Sequence, residues 1–121
     1  MRTLLLALSA MTLLYFTGCK PAKKADNPFL AEYRTPFEVP PFNRIDTTHY
    51  MPAFLEGIRQ HNAEIDSIVN NPAPPDFENT ILAFDKCGKL LTRVSKVFYN
   101  LNEAETNKQM QSLARQLSPI M

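Results

Sequence analysis

Ten prolines decide where this chain can be helical, because a proline inside a helix removes a backbone hydrogen bond and clashes with the preceding turn. Five of them, Pro21, Pro28, Pro36, Pro40 and Pro41, crowd residues 20–45 and bias the residues before them toward extended backbone. Pro72, Pro74 and Pro75 form a rigid break after Asn70-Asn71. On either side of that break lie stretches poor in proline, with apolar residues at helical spacing. No segment alternates with the period of two that a strand requires. The expected fold class is all-α: an extended Pro-rich strap across a helical surface, an antiparallel helical hairpin, and a third helix cut off at Met121.

The helices can be drawn in some detail. Asp46 is placed to cap the first, expected from Thr47 to about Asn70, with Ile45 stapled onto Tyr50. Its apolar face is Tyr50, Phe54, Ile58, Ile65, Ile68 and Val69, with Gly57 and His61 beside the stripe. Pro52 is tolerable only if it stays within the first turns. Asp76 caps a second helix, with Glu78 where the macrodipole favours negative charge. Phe77, Ile81, Phe84, Leu91, Val94, Phe98 and Leu101 approximate a heptad seam. The spacing predicts one continuous helix of about 25 residues, antiparallel to the first, with Phe84 and Phe98 both buried. Thr106-Asn107-Lys108-Gln109 reads as a capping box for the third helix, whose inner face is Met110, Leu113 and Leu117.

The first residues have a different character. Arg2 precedes thirteen apolar or small residues, Leu4 to Phe16, too few to span a bilayer, which takes about 20. A basic start, a short apolar run and small residues make the pattern of a secretory signal, expected over 1–18. Cutting after Gly18 puts Phe16 where an ordinary cleavage site needs a small side chain. Phe16-Thr17-Gly18-Cys19 instead resembles the lipobox of bacterial lipoproteins, with Phe in place of the usual Leu. Cys19 is therefore the expected lipidation site, tethering the chain to a membrane of the bacterial cell envelope with the protein facing the periplasm. Residues 19–45 are the expected tether and strap, and residues 46–121 a partial helical domain. Cys87 is then left without a disulfide partner and is expected to be buried as a small apolar residue.

Charge and composition exclude several functions. With 13 basic against 12 acidic residues, the chain lacks the basic excess of a nucleic-acid binder. At 45% hydrophobic and 21% charged it is not wholesale disorder. A helical zinc-hydrolase site needs H-E-x-x-H, and neither His49 nor His61 begins one. His61 and Glu64, at i and i+3, could supply two ligands of a carboxylate-type metal site, but nothing completes the set, and both histidines read as helix-surface residues. Lys86, Lys89, Arg93 and Lys96 form a basic stripe, expected to be a solvated face or a surface meeting acidic groups. The residues taken alone name no catalytic site and no metal site.

Taken in order, several stretches carry a resemblance. They are Asn27-Pro28-Phe29-Leu30, Pro40-Pro41-Phe42-Asn43-Arg44-Ile45, and His49-Tyr50-Met51-Pro52-Ala53-Phe54-Leu55-Glu56-Gly57-Ile58. Phe77-Glu78-Asn79-Thr80-Ile81, Arg93 to Leu101 and Thr106-Asn107 follow. The succession resembles the N-terminal region of the thimet-oligopeptidase-like zinc metallopeptidases, especially the bacterial peptidyl-dipeptidases. The resemblance implies a large all-helical enzyme with two lobes around a channel, releasing C-terminal dipeptides from short peptides. It implies zinc held by an H-E-x-x-H helix and a downstream Glu, none of which is in this sequence. No catalytic residue carries over. What carries over is an expected structural role: part of the lobe that walls the channel and excludes folded proteins, inactive by itself. The alternative is a freestanding, non-catalytic helical lipoprotein that binds partners.

Overall fold

In the computed structural model, which describes residues 26–121, every regular element is helical. The expected signal 1–18, Cys19 and the first tether residues lie outside the described residues. The strap comes first. It is not extended but folded into three short 3₁₀ turns, Pro28–Leu30, Pro36–Glu38 and Phe42–Arg44. Proline's fixed φ suits the first positions of such turns, so the same residues that forbid long helix still permit tight ones. Only the first turn packs as expected. Phe29 is fully buried, with Leu30 and Tyr33 partly so, whereas Phe37 is 98% exposed and Val39 and Phe42 about half exposed.

Helix α1 spans Thr47–Val69. Asp46 Oδ1 accepts the Thr48 N–H at 2.8 Å, and His49 Nδ1 accepts the Asp46 N–H at 3.0 Å, which closes a reciprocal cap. The Thr48 hydroxyl and N–H are the main causes that hold the Asp46 carboxyl below its usual range. Pro52 sits in the second turn on the exposed side. Tyr50, Ala53, Phe54 and Gly57 are buried.

After the Pro72–Pro75 break, Asp76 caps the next element by accepting the Asn79 N–H at 2.7 Å. We label this element α2; it opens as a π-helical stretch, Phe77–Leu82, and runs into Ala83–Asp85. A turn at Lys86–Gly88 separates it from α3, Lys89–Ala104. The single long helix expected from the spacing is thus two. The reason lies at Gly88, whose φ of 70° is left-handed and whose N–H is given to Glu64 Oε2 at 2.6 Å rather than to the preceding turn. The final helix, α4, spans Lys108–Leu117. Its cap is Asn107, one residue later than expected: Asn107 Oδ1 accepts the N–H groups of Gln109 and Met110, both at 3.0 Å. The helix closes at Leu117 rather than running to Met121, with the Ser118 N–H bonded to the Ala114 carbonyl.

Helices α1 and α3 form the main packing pair. They approach so closely at one point that a Cβ added to Gly57 would stand 3.0 Å from Leu91 Cα. The core gathers at one end of the hairpin. Phe29 from the strap, Tyr50 and Phe54 from α1, Val94 and Phe98 from α3, and Met110 and Leu117 from α4 meet there. Phe98 stands edge-on to Phe54 at 5.6 Å and to Tyr50 at 5.1 Å between ring centroids, geometries that aromatic quadrupoles favour.

Phe98 is buried as the heptad predicts, but Phe84 is not: it is 62% exposed. The partly buried positions of α2 are Asn79, Thr80, Leu82 and Ala83, and Cys87 in the following turn leads on to Leu90, Leu91 and Val94. The Lys86–Gly88 turn lies between Phe84 and α3, so the seam of α3 does not continue in phase through Phe77, Ile81 and Phe84, which are exposed. The heptad runs through Phe77, Ile81 and Phe84, whereas the sheltered positions include Leu82 and the smaller Thr80 and Ala83.

Candidate functional site

The described residues that do more than fill the core converge where the strap crosses α3. Asn27 is buried and works in two directions: its Oδ1 accepts the Phe29 N–H at 3.1 Å, and its Nδ2 donates to the His49 carbonyl at 2.8 Å. Arg93 reaches across from α3. Its Nη2 donates to the Phe29 carbonyl, and its guanidinium lies 4.9 Å from the centre of the Tyr33 ring. Burial raises the Tyr33 phenol above its usual range, a shift that the Arg93 charge partly offsets. The Tyr33 hydroxyl and Arg93 Nε are both buried without a hydrogen-bond partner.

Beside this clamp lies an open groove of about 690 Å³ between the strap and α3. Glu32, Glu38 and Asp85 bring negative charge to it, and Lys89, Arg93 and Lys96 bring positive charge. The basic stripe expected along the helix is therefore divided. Arg93 is a structural tie to the strap, whereas Lys86, Lys89 and Lys96 remain exposed. Mixed charge of this kind can hold a polar chain. The Cys87 thiol, on the same groove, is partly buried and donates to the Ala83 carbonyl at 3.2 Å. Burial first, and then the charge of Glu64, push its pKa above the ordinary range, which keeps it a poor nucleophile.

His61 and Glu64, weighed in the sequence as two metal ligands, are brought together for another purpose. Both lie against the Gly88 turn, but only Glu64 bonds to it; His61 Nδ1 is buried without a hydrogen-bond partner. Glu64 accepts the Gly88 N–H, and a Cβ on Gly88 would lie 2.9 Å from His61 Nδ1. His49 is not a plain surface residue either, since its Nδ1 completes the cap of α1 and its carbonyl holds Asn27. The cap was legible in principle: a ring nitrogen three residues after an Asp N-cap stands where Glu or Gln stands in a capping box.

No protein-family model matches the chain. Individual proteins do. Over 87 residues, 72% of its length, the chain is 49% identical to the dipeptidyl carboxypeptidase of Salmonella typhimurium. Over 92 residues, 76% of its length, it is 49% identical to the dipeptidyl carboxypeptidase of Escherichia coli. Oligopeptidase A of Escherichia coli is 26% identical over 95 residues. The chain is a homologue of the dipeptidyl carboxypeptidases. It spans 13% and 14% of the length of the two relatives at 49% identity. The stretch matched is thus a small part of each of those relatives.

The zinc centre implied by the resemblance does not fit the described residues. Among them no three His, Cys, Asp or Glu side chains cluster as a ligand set. Glu64 is engaged with the Gly88 N–H and His49 Nδ1 with the Asp46 N–H, while His61 Nδ1 is buried without a hydrogen-bond partner.

Proposed function

We propose that this chain is part of a lipid-anchored peptidyl-dipeptidase of the bacterial cell envelope, an enzyme that releases C-terminal dipeptides from short peptides. The observation that carries the reading is the 49% identity with dipeptidyl carboxypeptidase over 87 residues, within a chain that spans 13% of that relative. In this reading the zinc ligands and the catalytic Glu lie in residues outside this sequence. The role left to this stretch is to wall the substrate channel. A rigid wall acts through shape, admitting an unfolded peptide and excluding a folded domain. The strap held by Asn27 and Arg93 and the aromatic core beneath it supply that rigidity.

The anchoring part of the reading rests on Phe16-Thr17-Gly18-Cys19 and the apolar run before it. Acylated Cys19 would hold the protein at a membrane facing the periplasm, since several acyl chains on one residue anchor stably at about 0.8 kcal/mol per buried CH₂.

The natural gene, expressed at full length, tests both parts. The purified protein is expected to release dipeptides from short peptides with a free C-terminus and to lose that activity to a chelator. A full-length product that cleaves no such peptide overturns the enzymatic reading and leaves a helical lipoprotein. The Cys19→Ser variant is expected to leave the detergent phase for the aqueous phase, and unchanged partitioning overturns the anchor.

A further inference from the structure

Along α3, Lys89, Arg93 and Lys96 stand at i, i+4 and i+7, a row of cations on one side of the helix over about 10 Å of axis. The open groove of about 690 Å³ between this row and the strap also receives Glu32 and Glu38 from the strap and Asp85 from the end of α2. Three acidic and three basic groups therefore line one space, with the cations on α3 and the carboxylates on the elements around it. Among the described residues no ion pair joins the two sets. The groove holds its charges apart instead of neutralising them.

The backbone that brings Glu38 to this space is an unfavourable one. Phe37 and Glu38 have φ of 58° and 55°, the left-handed region that residues with a Cβ avoid. The Glu38 N–H donates to the Thr35 carbonyl at 3.1 Å, and the Thr35 hydroxyl donates to the Val39 carbonyl, which closes the turn around them. Strain of this kind gathers at ligand clamps and switch regions. Two further lining residues carry unused hydrogen-bonding capacity. The Tyr33 hydroxyl and Arg93 Nε are buried without a partner, and the guanidinium lies 4.9 Å from the ring centre.

We propose that the groove is a binding site for short zwitterionic peptides, a free dipeptide being the simplest, with the ligand carboxylate on the α3 wall and its ammonium at Glu32 and Glu38. A ligand of one sign is repelled by one wall: inorganic phosphate by Glu32 and Glu38, a polyamine by Lys89 and Lys96. A small molecule with opposite charges at its two ends is attracted by both. Arg93 Nε is the free edge of a guanidinium, the group best shaped to hold a carboxylate through N–H donors. The volume falls within the range of about 300–1,000 Å³ usual for small-molecule sites. The site stands on the groove itself; only the supply of dipeptides by the same protein rests on the reading given under Proposed function.

Calorimetric titration of the full-length protein with alanyl-alanine tests the proposal. N-acetyl-alanyl-alanine and alanyl-alanine amide serve as probes that each lack one charge. The variants are Glu38→Gln and Lys96→Gln, both at exposed positions and one on each wall. Each substitution is expected to weaken alanyl-alanine binding at least about 10-fold, as is each cap on the ligand in the unsubstituted protein. Glu38→Gln should leave the acetylated probe unaffected, and Lys96→Gln the amide, because each then lacks the charge that the substituted residue meets. Equal binding of alanyl-alanine to the parent and both variants overturns the proposal, even if the protein cleaves peptides. An acetylated probe that binds as tightly as alanyl-alanine and depends on Lys96 makes the groove an anion site and overturns it too. Binding lost in both variants of a protein that cleaves no peptide upholds the site and removes the enzymatic reading. Should a variant show a lowered urea midpoint, Glu32→Gln or Lys89→Gln replaces it, and the capped probes on the parent protein decide without any substitution.

Discussion

At one end of the hairpin Phe54, Val94 and Phe98 are fully enclosed, whereas at the other end Val69, Phe77, Ile81 and Phe84 are more than half exposed. Both ends are rich in large apolar residues, so composition does not separate them. What separates them is the number of elements that converge. The closed end is surrounded by the strap, α1, α3 and α4, so side chains on several faces of α3 find a neighbour. The open end has only α1 and α2, and two helices can hide one stripe each. Within α2 the sheltered positions are Asn79, Thr80, Leu82 and Ala83, and Phe77, Ile81 and Phe84 are left outside. Burial in this chain follows the convergence of elements more than the hydrophobicity of residues.

The largest expected effect lies at the closed end. Phe98→Ala removes the ring that Tyr50 and Phe54 contact and leaves a cavity in a site that cannot collapse easily; it should destabilise the chain by about 3–5 kcal/mol in urea unfolding. A loss under about 1 kcal/mol would mean that the closed end is loosely packed and the contrast between the two ends is false.

Much of this arrangement is readable in the residues. Asp46 and Asp76 announce their helices, the Pro72–Pro75 break separates them, and Tyr50, Phe54, Val94 and Phe98 lie on the expected stripes. What is not readable comes from contacts distant in sequence. Gly88 stands inside an unbroken 3,4-spaced pattern, and only the approach of Glu64 and His61 from α1 turns it into a break. The Lys86–Gly88 turn leaves no periodic mark, so the heptad continues on paper through Phe84. Arg93 looked like one more cation on a basic stripe, because the carbonyl it meets, that of Phe29, lies 64 residues away along the chain. The homology rested on ordered motifs and was legible, whereas the clamp was not.

A smaller effect sharpens the boundary between the two ends. Gly88→Ala places a Cβ at a φ of 70° and within 2.9 Å of His61 Nδ1. The left-handed conformation alone should cost about 1–2 kcal/mol in chemical denaturation, and the contact adds to it unless the His61 ring turns away. The double variant His61→Ala, Gly88→Ala separates the two contributions, since it removes the contact and keeps the backbone strain. A neutral Gly88→Ala would mean that α2 and α3 can join into the single helix that the spacing suggests, with Glu64 released.

The smallest expected effect is also the most discriminating. Phe84→Ala in the 121-residue chain removes a large aromatic side chain, yet its ring is mostly in water and away from the inner seam, so stability should change by less than about 0.5 kcal/mol. Judged by size and helical spacing alone, the same substitution would rank with Phe98→Ala, because the two residues are two heptads apart on one nominal stripe. The Lys86–Gly88 break lies between them and puts one off that stripe while the other stays on it. The pair therefore measures the offset directly: a large loss at Phe98 with none at Phe84 is the signature of a rotated α2. Equal large losses would restore the continuous heptad and bring α2 back against α1 through its bulky side chains. Urea titrations of both variants beside the parent chain, with equal slopes to show that the unfolded states are comparable, decide between the two arrangements.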